Sequence, residues 1–530
     1  MILLKKLILS LLLTLSQMSI YVSAQNTQPN ILLIIADDLG IDAIEGFGLD
    51  INNPPNTPHI NQLQAEGITF INTWATAQCA PTRAALMSGK YGIKTGVREV
   101  PGNLDLEDES IFSRVNRITS DAYATSLIGK WHISNPADNS HPHQHGIDHF
   151  EGLIRGGVND YYNWDKTING SEIAIAEYIT SHYTDAAINW IDTHKDEPWF
   201  LWLAHSAPHN PYQIPPADLF SINNPQTDSE LARAMIEALD TEIGRLLMSL
   251  DQVTRDNTYV IFIGDNGSAR GVLEFFDRGR GKGSMYEGGL RVPMVITGPG
   301  VTRKGEVESG LAQTTDLYAT ILQLIGEQLE GGIYNSLGLA SALSSPNTIE
   351  RPYIYSDYLD DGLEFWAIKN ETYKLIENER GTQEFYRIDS DITEGDNLIN
   401  RLSNEERTIL FDMVAEASTI RESWSCQDGI LNGREIEIDD CGMTATSTFD
   451  LSNTTFQVYP NPASSIINIQ SDATFNYNTS LYNSKGIRII NTNNEDNLNV
   501  SALASGVYYL KITNLDTGAS ILDKIMVQPD

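Results

Sequence analysis

Short apolar runs alternate with amphipathic stretches along the first part of the chain. The runs Asn30–Ala36, Trp199–Leu203 and Tyr259–Gly264 are apolar at nearly every position, which is typical of parallel strands buried on both faces of a sheet. The stretches Thr184–His194 and Leu231–Leu250 have apolar residues at helical spacing. This alternation predicts an α/β fold in which helices sandwich a mixed, mostly parallel central sheet.

The pattern changes in the C-terminal part of the chain. Three short runs, Trp366–Ile368, Tyr373–Ile376 and Phe385–Ile388, predict a small antiparallel sheet, and residues 405–421 predict a helix after it. In the last segment, 453–530, apolar and polar residues alternate between turn signals, which predicts an appended β-sandwich. The segments that follow from these patterns are an α/β domain at 25–332, a smaller antiparallel-sheet subdomain at 333–425, a polar linker at 426–452 and the tail at 453–530.

The N-terminus has the pattern of a cleaved secretory signal. Lys5 and Lys6 precede the apolar run Leu7–Leu15, and small residues occupy 22–24. A membrane anchor is the alternative, but the run is shorter than the ~20 residues that a spanning helix needs. We therefore expect residues 1–24 to be a signal peptide and the exported chain to have no transmembrane anchor.

The chain is strongly acidic. Lys and Arg number 35 against 70 Asp and Glu, which gives a net charge of −35 at pH 7. This charge makes nucleic acids and anionic membranes unfavourable partners. A polyanionic substrate would therefore require a locally basic site within an acidic surface.

Export also makes the three cysteines informative, because an oxidising compartment permits disulfides and an odd number leaves one thiol unpaired. Cys426 and Cys441 flank one short polar segment and are the natural disulfide pair. Cys79 is left over and lies far upstream.

Two of the predicted buried strands end in polar pairs. Asp37 and Asp38 follow the first strand, and Asp265 and Asn266 follow another. Ligands of open α/β sheets bind beyond the carboxyl ends of the strands, so both pairs can converge on one site. Three carboxylates and an amide oxygen suit calcium better than zinc, while magnesium remains possible. For either pair alone, helix caps or turn residues are the alternative.

The segment that begins at Cys79 predicts the start of a helix, with Pro81 in its first turn. Cys79 would then lie at the positive end of the helix dipole, where an anion is favoured. Arg83 follows one turn later on the same side. A buried structural thiol is the alternative interpretation of Cys79.

Cys79-x-Pro81-x-Arg83 followed by Ala-Ala-Leu-Met-Ser-Gly resembles the signature of the formylglycine sulfatases of the alkaline phosphatase superfamily. Three further blocks are similar to conserved segments of the family. These blocks and the two polar strand ends occur in the same order as in the family. The resemblance extends from residue 30 to about residue 400. These blocks are Leu127–His132, Ala207–Pro211 and Lys282–Pro293.

The resemblance implies that a maturation enzyme oxidises Cys79 to formylglycine. A hydroxyl of the hydrated aldehyde then attacks sulfur and expels the alcohol, which leaves the enzyme covalently sulfated. His132 is the implied base that takes the proton of the other hydroxyl, so that sulfate is eliminated. The implied ligands of one calcium ion are Asp37, Asp38, Asp265, Asn266 and the oxidised side chain at 79.

The resemblance also assigns cations to the reaction. Arg83 and Lys130 would hold the oxygens of the nucleophile, and His209 and Lys282 would contact the sulfate and assist the leaving oxygen. Fixed positive charge that faces an anionic transition state is usually a large catalytic effect. These residues would also supply the basic pocket that an acidic protein needs.

Other residues match the family less specifically. Asp240 and Asp316 fall in family helices, and we interpret them as structural. A histidine tract has metal-ligand spacing, but its place before Gly146 resembles a structural turn of the family, which we favour. The members of this tract are His141, His143 and His145. Residues that could line a sugar pocket are Trp131, Arg155 and Asp160–Tyr162.

The segments Val458–Ala463 and Gly506–Lys511 resemble the C-terminal sorting domain of the type IX secretion system. A carbohydrate-binding sandwich is the alternative, but the few aromatic residues of the tail offer no evident sugar platform. Sorting by this machinery implies transit through the periplasm and a place at the cell surface or in the medium, where polymeric substrates occur.

The implied substrate is a sulfated carbohydrate, and we expect a marine algal polysaccharide of the ulvan, carrageenan or fucoidan type, or its oligosaccharides. A phosphatase or phosphodiesterase of the same superfamily is the rival enzyme, but those that use paired zinc ions need further histidine and aspartate ligands. An inactive carbohydrate-binding relative is a second alternative, which the loss of a signature residue would support. No signature residue is lost in this sequence.

Overall fold

The computed structural model of the protein describes residues 28–329 and 332–422 continuously. It also describes the C-terminal segments 430–431, 434–435, 445–451, 454–461, 463–471, 476–483, 488–504, 506–515 and 520–527. The predicted signal peptide and the predicted disulfide between Cys426 and Cys441 lie outside the described residues. By its internal contacts the chain divides into two compact units, Met1–Asn397 and Leu398–Asp530.

A ten-stranded sheet forms the centre of the first unit, in the order β11-β2-β10-β9-β1-β8-β4-β5-β6-β7. Two further strands, β3 and β12, pair with each other in a separate small sheet. The strands of both sheets are β1 Asn30–Ala36, β2 Ile68–Phe70, β3 Thr73–Trp74, β4 Ala124–Lys130, β5 His149–Leu153, β6 Trp164–Ile168, β7 Ser171–Ile175, β8 Trp199–Ala204, β9 Thr258–Gly264, β10 Met294–Thr297, β11 Glu306–Glu308 and β12 Ala312–Gln313. The central strands β9, β1, β8, β4 and β5 are all parallel, and β10, β6 and β7 add antiparallel neighbours. The predicted mixed, mostly parallel sheet is confirmed.

The apolar runs form strands because both faces of the sheet are covered. Every residue of β1 is buried. Ile31, Leu33 and Ile35 belong to one hydrophobic core, whereas Leu32 and Ile34 belong to another on the opposite face. A strand with one solvated face would alternate apolar and polar residues instead.

Helices pack on both faces of this sheet. They are α1 Pro58–Glu66, α2 Cys79–Ser88, α3 Gly92–Thr95, α4 Ile111–Thr119, α5 His141–Gln144, α6 Ile179–His194, α7 Asp228–Ser249, α8 Gln252–Asp256, α9 Glu287–Leu290 and α10 Asp316–Leu324, with 3₁₀ turns at Arg278–Arg280 and Ala340–Leu343. The predicted helix at 231–250 begins earlier, because Thr227 and Glu230 form a reciprocal capping box before the first apolar residue. Among the described residues, none of the helices has both the length and the apolar character that crossing a membrane requires.

A four-stranded antiparallel sheet completes the first unit, as predicted. Its strands are β13 Ile354–Asp360, β14 Leu363–Lys369, β15 Tyr373–Asn378 and β16 Gln383–Arg387. Lys369 and Lys374 extend from this sheet to the buried carboxylate of Glu287, at 3.2 and 3.1 Å, and Trp74 Nε1 donates to the same carboxylate at 3.0 Å. Burial raises the pKa of Glu287, but the two lysines outweigh burial and hold the pKa below its usual range.

The second unit contains the helix α11 Asn404–Glu422 and a β-sandwich. Its strands are β17 Ile430–Leu431, β18 Arg434–Glu435, β19 Ala445–Leu451, β20 Thr454–Asn461, β21 Ile466–Ser471, β22 Tyr477–Asn483, β23 Arg488–Asn493, β24 Asn497–Asn499, β25 Gly506–Asn514 and β26 Ser520–Val527. Two four-stranded sheets, β19-β20-β21-β24 and β23-β22-β25-β26, enclose one core to which both contribute, for example Ile467 from the first sheet and Leu510 from the second. The appended sandwich is therefore confirmed.

Candidate active site

The polar pairs meet because their strands are neighbours with aligned ends. Ala36 of β1 pairs with Gly264 of β9, so the residues that follow are adjacent. The backbone N–H of Asp38 donates to Asp265 Oδ1 at 3.0 Å, and Asn266 Nδ2 donates to Asp38 Oδ1 at 2.8 Å. Asp38 has a φ of 65°, a left-handed conformation that is costly for a residue with a Cβ and is found more often at functional sites.

The helix α2 brings Cys79 and Arg83 to this edge of the sheet. Cys79 is the first residue of the helix and is buried. Arg83, one turn later, donates from Nε and Nη2 to Asp265 Oδ2 at 3.2 and 2.7 Å, and from Nη1 to Lys130 O at 2.7 Å. Burial raises the pKa of the Cys79 thiol, although nearby lysines oppose this effect. The thiol is therefore neutral at ordinary pH.

The carboxyl end of β4 contributes Lys130 and His132. Lys130 Nζ lies 2.5 Å from Asp37 Oδ2, and His132 Nδ1 lies 3.3 Å from Cys79 Sγ. His132 also has a left-handed backbone, with a φ of 62°. Burial, Lys130 and Arg83 hold the pKa of His132 well below its usual range. This imidazole is a neutral proton acceptor next to the cysteine.

Lys282 and His209 lie on the more accessible side of the site. Lys282 Nζ lies 2.5 Å from Asp38 Oδ1 and 3.9 Å from Cys79 Sγ. His209 Nε2 lies 3.8 Å from Asp38 Oδ2. Both side chains are 20% exposed, whereas those of Arg83 and Lys130 are almost completely buried. A substrate arriving from solvent would meet Lys282 and His209 first.

The donor atoms of this site fit a cation. Within the described part of the chain, two groups of three potential metal ligands have donor atoms within 4.8 Å of one another: Asp37, Cys79 and Asp265, and Asp37, Asp38 and His209. Asp37 Oδ1 and Asn266 Oδ1 are buried and have no hydrogen-bond partner among the residues that the structure describes. Such atoms are costly unless something else pairs with them. A hard cation prefers these carboxylate and amide oxygens as ligands.

The electrostatics of the carboxylates agree with this fit. Burial and the neighbouring Asp37 raise the pKa of Asp265 to about 6, because clustered carboxylates in a buried site repel one another. Burial also raises the pKa of Asp37, but Lys130, His209 and Arg83 outweigh it and hold that pKa below its usual range. A bound cation would relieve the repulsion that remains at Asp265.

The structure brings together all of the residues that the sequence singled out for this site. They are Asp37, Asp38, Cys79, Arg83, Lys130, His132, His209, Asp265, Asn266 and Lys282. Asp240 and Asp316 lie elsewhere and are structural: Asp240 accepts from the backbone of His59 in α1, and Asp316 pairs with Arg351.

The histidine tract forms no metal cluster among the described residues. The rings of His141 and His145 are 4.6 Å apart and pack against the buried Trp131, while His143 Nδ1 lies 2.7 Å from Ile147 O. These contacts agree with the structural interpretation. Because Trp131 is covered by these rings and only 1% exposed, its expected place in a sugar pocket is wrong.

Tyr161 also has a different place from the one expected. It is fully buried, so it cannot line an open pocket. Its hydroxyl lies 2.7 Å from Ser206 O and 2.6 Å from His209 O, and it therefore fixes the turn that carries His209. Nothing local in the sequence distinguishes this tyrosine from an ordinary core aromatic.

Both units of the chain resemble known protein families. The chain matches the family model Sulfatase over residues 29–327 and the model Secretion system C-terminal sorting domain over residues 457–528. Arylsulfatase J of Mus musculus is 28% identical over 341 residues, which make up 59% of this chain and 55% of that protein. N-acetylgalactosamine-6-sulfatase of Sus scrofa is 27% identical over 387 residues, 65% of this chain and 72% of that protein.

Solved structures share the fold of this chain. Ps i-CgsB in complex with k-i-k-neocarrahexaose superimposes with a TM-score of 0.65 at 28% identity, and the match covers 78% of this chain and 96% of that one. The sulfatase model alone covers more than half of the 530 residues. The chain therefore belongs to the sulfatase family, whose members hydrolyse sulfate esters, and it carries a type IX sorting domain that directs it to the cell surface or the medium.

Proposed function

We propose that this protein is a calcium-dependent sulfatase that removes sulfate from carbohydrates by means of a formylglycine derived from Cys79. One observation carries the proposal. The buried Cys79 lies at a helix start beside the neutral imidazole of His132. The same site contains four further cationic or protonatable side chains and two acceptor oxygens that have no hydrogen-bond partner among the described residues.

The state of Cys79 supports its conversion. A thiolate, not a thiol, is the reactive form of cysteine, and burial raises the pKa of this thiol. The unmodified side chain is therefore a poor nucleophile at neutral pH. After oxidation by a maturation enzyme, the hydrated aldehyde at 79 supplies the hydroxyl that attacks sulfur and releases the alcohol, so Sγ stands where that oxygen would be.

The residues around Cys79 divide the remaining tasks. Arg83 and Lys130 orient the carboxylates and bring positive charge to the nucleophile. His209 and Lys282, on the accessible side, bind the sulfate group and protonate the leaving oxygen. His132 accepts a proton at Nδ1, 3.3 Å from Sγ, so that the bond to sulfate breaks and the aldehyde returns.

Calcium is the cation that the donor set favours. Asp37, Asp38, Asp265 and Asn266 would hold it together with the oxidised side chain at 79, which makes an all-oxygen site. A calcium ion held there supplies positive charge beside the reacting sulfate. His209 can approach the same carboxylates, but one imidazole does not provide the nitrogen ligands that a pair of zinc ions requires.

The substrate proposed is a marine algal polysaccharide or its oligosaccharides, of the carrageenan, ulvan or fucoidan type. The similar structure of Ps i-CgsB contains a neocarrahexaose, which makes carrageenan oligosaccharides the first to test. The sorting domain supports this choice, because it brings the enzyme to the outside of the cell, where such polymers occur.

The test compares hydrolysis of an aryl sulfate with that of an aryl phosphate, each with and without a calcium chelator. We expect sulfate release that the chelator removes and calcium restores, and little phosphate release. A preference for phosphate would contradict the proposal. Measuring free sulfate from carrageenan, ulvan and fucoidan oligosaccharides then identifies the polymer.

A further inference from the structure

A second cleft lies beside the site. The loop that follows β5 begins next to β4, because Trp131 N donates to Leu153 O at 2.8 Å and His132 N donates to Ile154 O at 3.2 Å. The loop then covers the imidazole of His132. A Cβ placed on Gly156 would lie only 2.2 Å from His132 Nε2, so glycine is needed for this close approach.

The same loop also connects the site to the cleft. A Cβ on Gly157 would lie 3.5 Å from His209 Cε1, and Gly157 itself lines the cleft. The cleft has a volume of about 140 Å³. A polar space of this size holds several water molecules, which the hydroxyl groups of a sugar could replace. Its lining is mainly polar and includes Arg155, Asn159, Asn163, Trp164, Asp165 and Glu172.

Arg155 is unusual among the cations near the site. Arg83 and Lys130 are paired with carboxylates, whereas Arg155 is exposed and makes no hydrogen bond or ion pair with any described residue. It stays unpaired in a chain with twice as many acidic as basic residues, even though Asp165 and Glu172 line the same cleft. A guanidinium presented in this way is suited to bidentate contact with an anionic group.

We propose that this cleft binds the sugar next to the one that is desulfated, and that Arg155 recognises an anionic substituent on that sugar, either a sulfate ester or a carboxylate. The carboxylates and amides of the cleft would bind the hydroxyl groups of the same ring. The inference depends on the proposed function in that it assumes a sulfated carbohydrate chain as the substrate.

The test is a kinetic comparison of the wild-type enzyme with Arg155→Gln. The control is Lys304→Gln, which also removes one positive charge. Lys304 follows β10, and because β10 runs antiparallel to β9, its end lies beside the start of β9, at the edge of the sheet opposite the site. The substrates are an aryl sulfate and oligosaccharides whose neighbouring sugar carries a sulfate, a carboxylate or neither. A charged hydrogen bond contributes about 1.5–3 kcal/mol, which corresponds to a ten- to hundredfold change in KM.

We expect Arg155→Gln to raise KM at least tenfold for one of the two charged oligosaccharides, with little change in kcat, and so to remove the wild-type preference over the uncharged one. The oligosaccharide affected identifies the group as sulfate or carboxylate. An equal loss on every substrate, aryl sulfate included, or no change in that preference, would overturn the inference. Wild-type enzyme without activity on aryl sulfate and on all oligosaccharides would instead contradict the proposed function.

Discussion

His132 Nδ1 lies 3.3 Å from Cys79 Sγ, and burial together with Lys130 and Arg83 keeps the imidazole neutral. A neutral base in contact with a buried thiol could at first indicate a thiol nucleophile. The raised pKa of Cys79 argues against that assignment, since a base that serves to form a thiolate would be accompanied by a lowered thiol pKa. The pair is better suited to a modified side chain that bears hydroxyl groups.

The first prediction concerns the chemical state of Cys79. When active protein is purified after secretion by its own pathway, mass spectrometry of the peptide that contains Cys79 should find formylglycine. Cys79→Ala should lower kcat by at least about a thousandfold, as loss of a nucleophile usually does, without altering the thermal midpoint greatly. Full activity in protein whose Cys79 is entirely unmodified would contradict this role.

The second prediction separates the two halves of the reaction. His132→Gln should release the alcohol in a burst of one equivalent per active site, because the role proposed for His132 follows departure of the alcohol. Steady-state turnover should then fall by about 10²–10⁴, the usual contribution of a general base. Stopped-flow measurement with a chromogenic aryl sulfate provides the check, and a slow phase with no burst would assign His132 to the first step instead.

The third prediction concerns the cation. Calcium at a hundredfold excess over its Kd should stabilise the wild-type protein by about 2.7 kcal/mol, measured as a calcium-dependent rise in the thermal midpoint. Asn266→Ala removes one of the proposed ligand oxygens and should abolish most of this rise. Asn189→Ala, at an exposed position of α6, is the matched control and should respond like the wild type. A calcium response that Asn266→Ala leaves intact would place the ion elsewhere.

The fourth prediction concerns the buried ion network of Glu287. Glu287→Gln leaves Lys369 and Lys374 without the carboxylate that they share. Removing one partner of a buried pair typically costs about 3–5 kcal/mol, and denaturant unfolding should show a loss of that size. Glu371→Gln, in the exposed turn between β14 and β15, removes the same charge and should change stability by less than about 0.5 kcal/mol.

The fifth prediction is a pH dependence of stability. Burial lowers the pKa of His205 to about 3, and neither of its ring nitrogens has a hydrogen-bond partner among the described residues. At pH values between about 3 and about 6.5, His205 is protonated in the unfolded chain but not in the folded chain. The contribution of His205 to stability is therefore complete above about pH 6.5 and is lost progressively as the pH falls toward 3.

At pH 5 this loss amounts to about 2 kcal/mol. Unfolding free energies of the wild type and of His205→Phe at pH 7 and pH 5 provide the test, since the variant lacks this titration. The decrease between the two pH values should be smaller in the variant by about that amount. Equal decreases would mean that His205 is protonated in the folded protein.

The sequence was sufficient to predict the centre of the site because its signals are local. The run that ends at Ala36 is followed at once by Asp37 and Asp38, and the helix start at Cys79 is readable from Pro81 and Arg83. The two polar pairs were expected to converge because the carboxyl ends of parallel strands lie at the same edge of a sheet.

What the sequence did not reveal depends on tertiary contacts. Lys369 and Lys374 occupy strand positions that could equally face solvent, and only the fold places them beside Glu287. Tyr161 resembles any core aromatic until its hydroxyl is found between two carbonyls. Gly156 gave no signal, because its need for space arises from His132, which follows a different strand of the sheet.

The ion network around Glu287 also limits how this protein can be shortened. A gene fragment that stops at residue 332, after the large sheet, would encode Glu287 without Lys369 and Lys374. Its product would expose to solvent Glu287 and the apolar side chains that this sheet covers, such as Met285 and Leu290, within a few residues of Lys282. The antiparallel sheet is therefore not a detachable accessory. The shortest segment that could be transplanted as a working enzyme extends through that sheet to about Asn397.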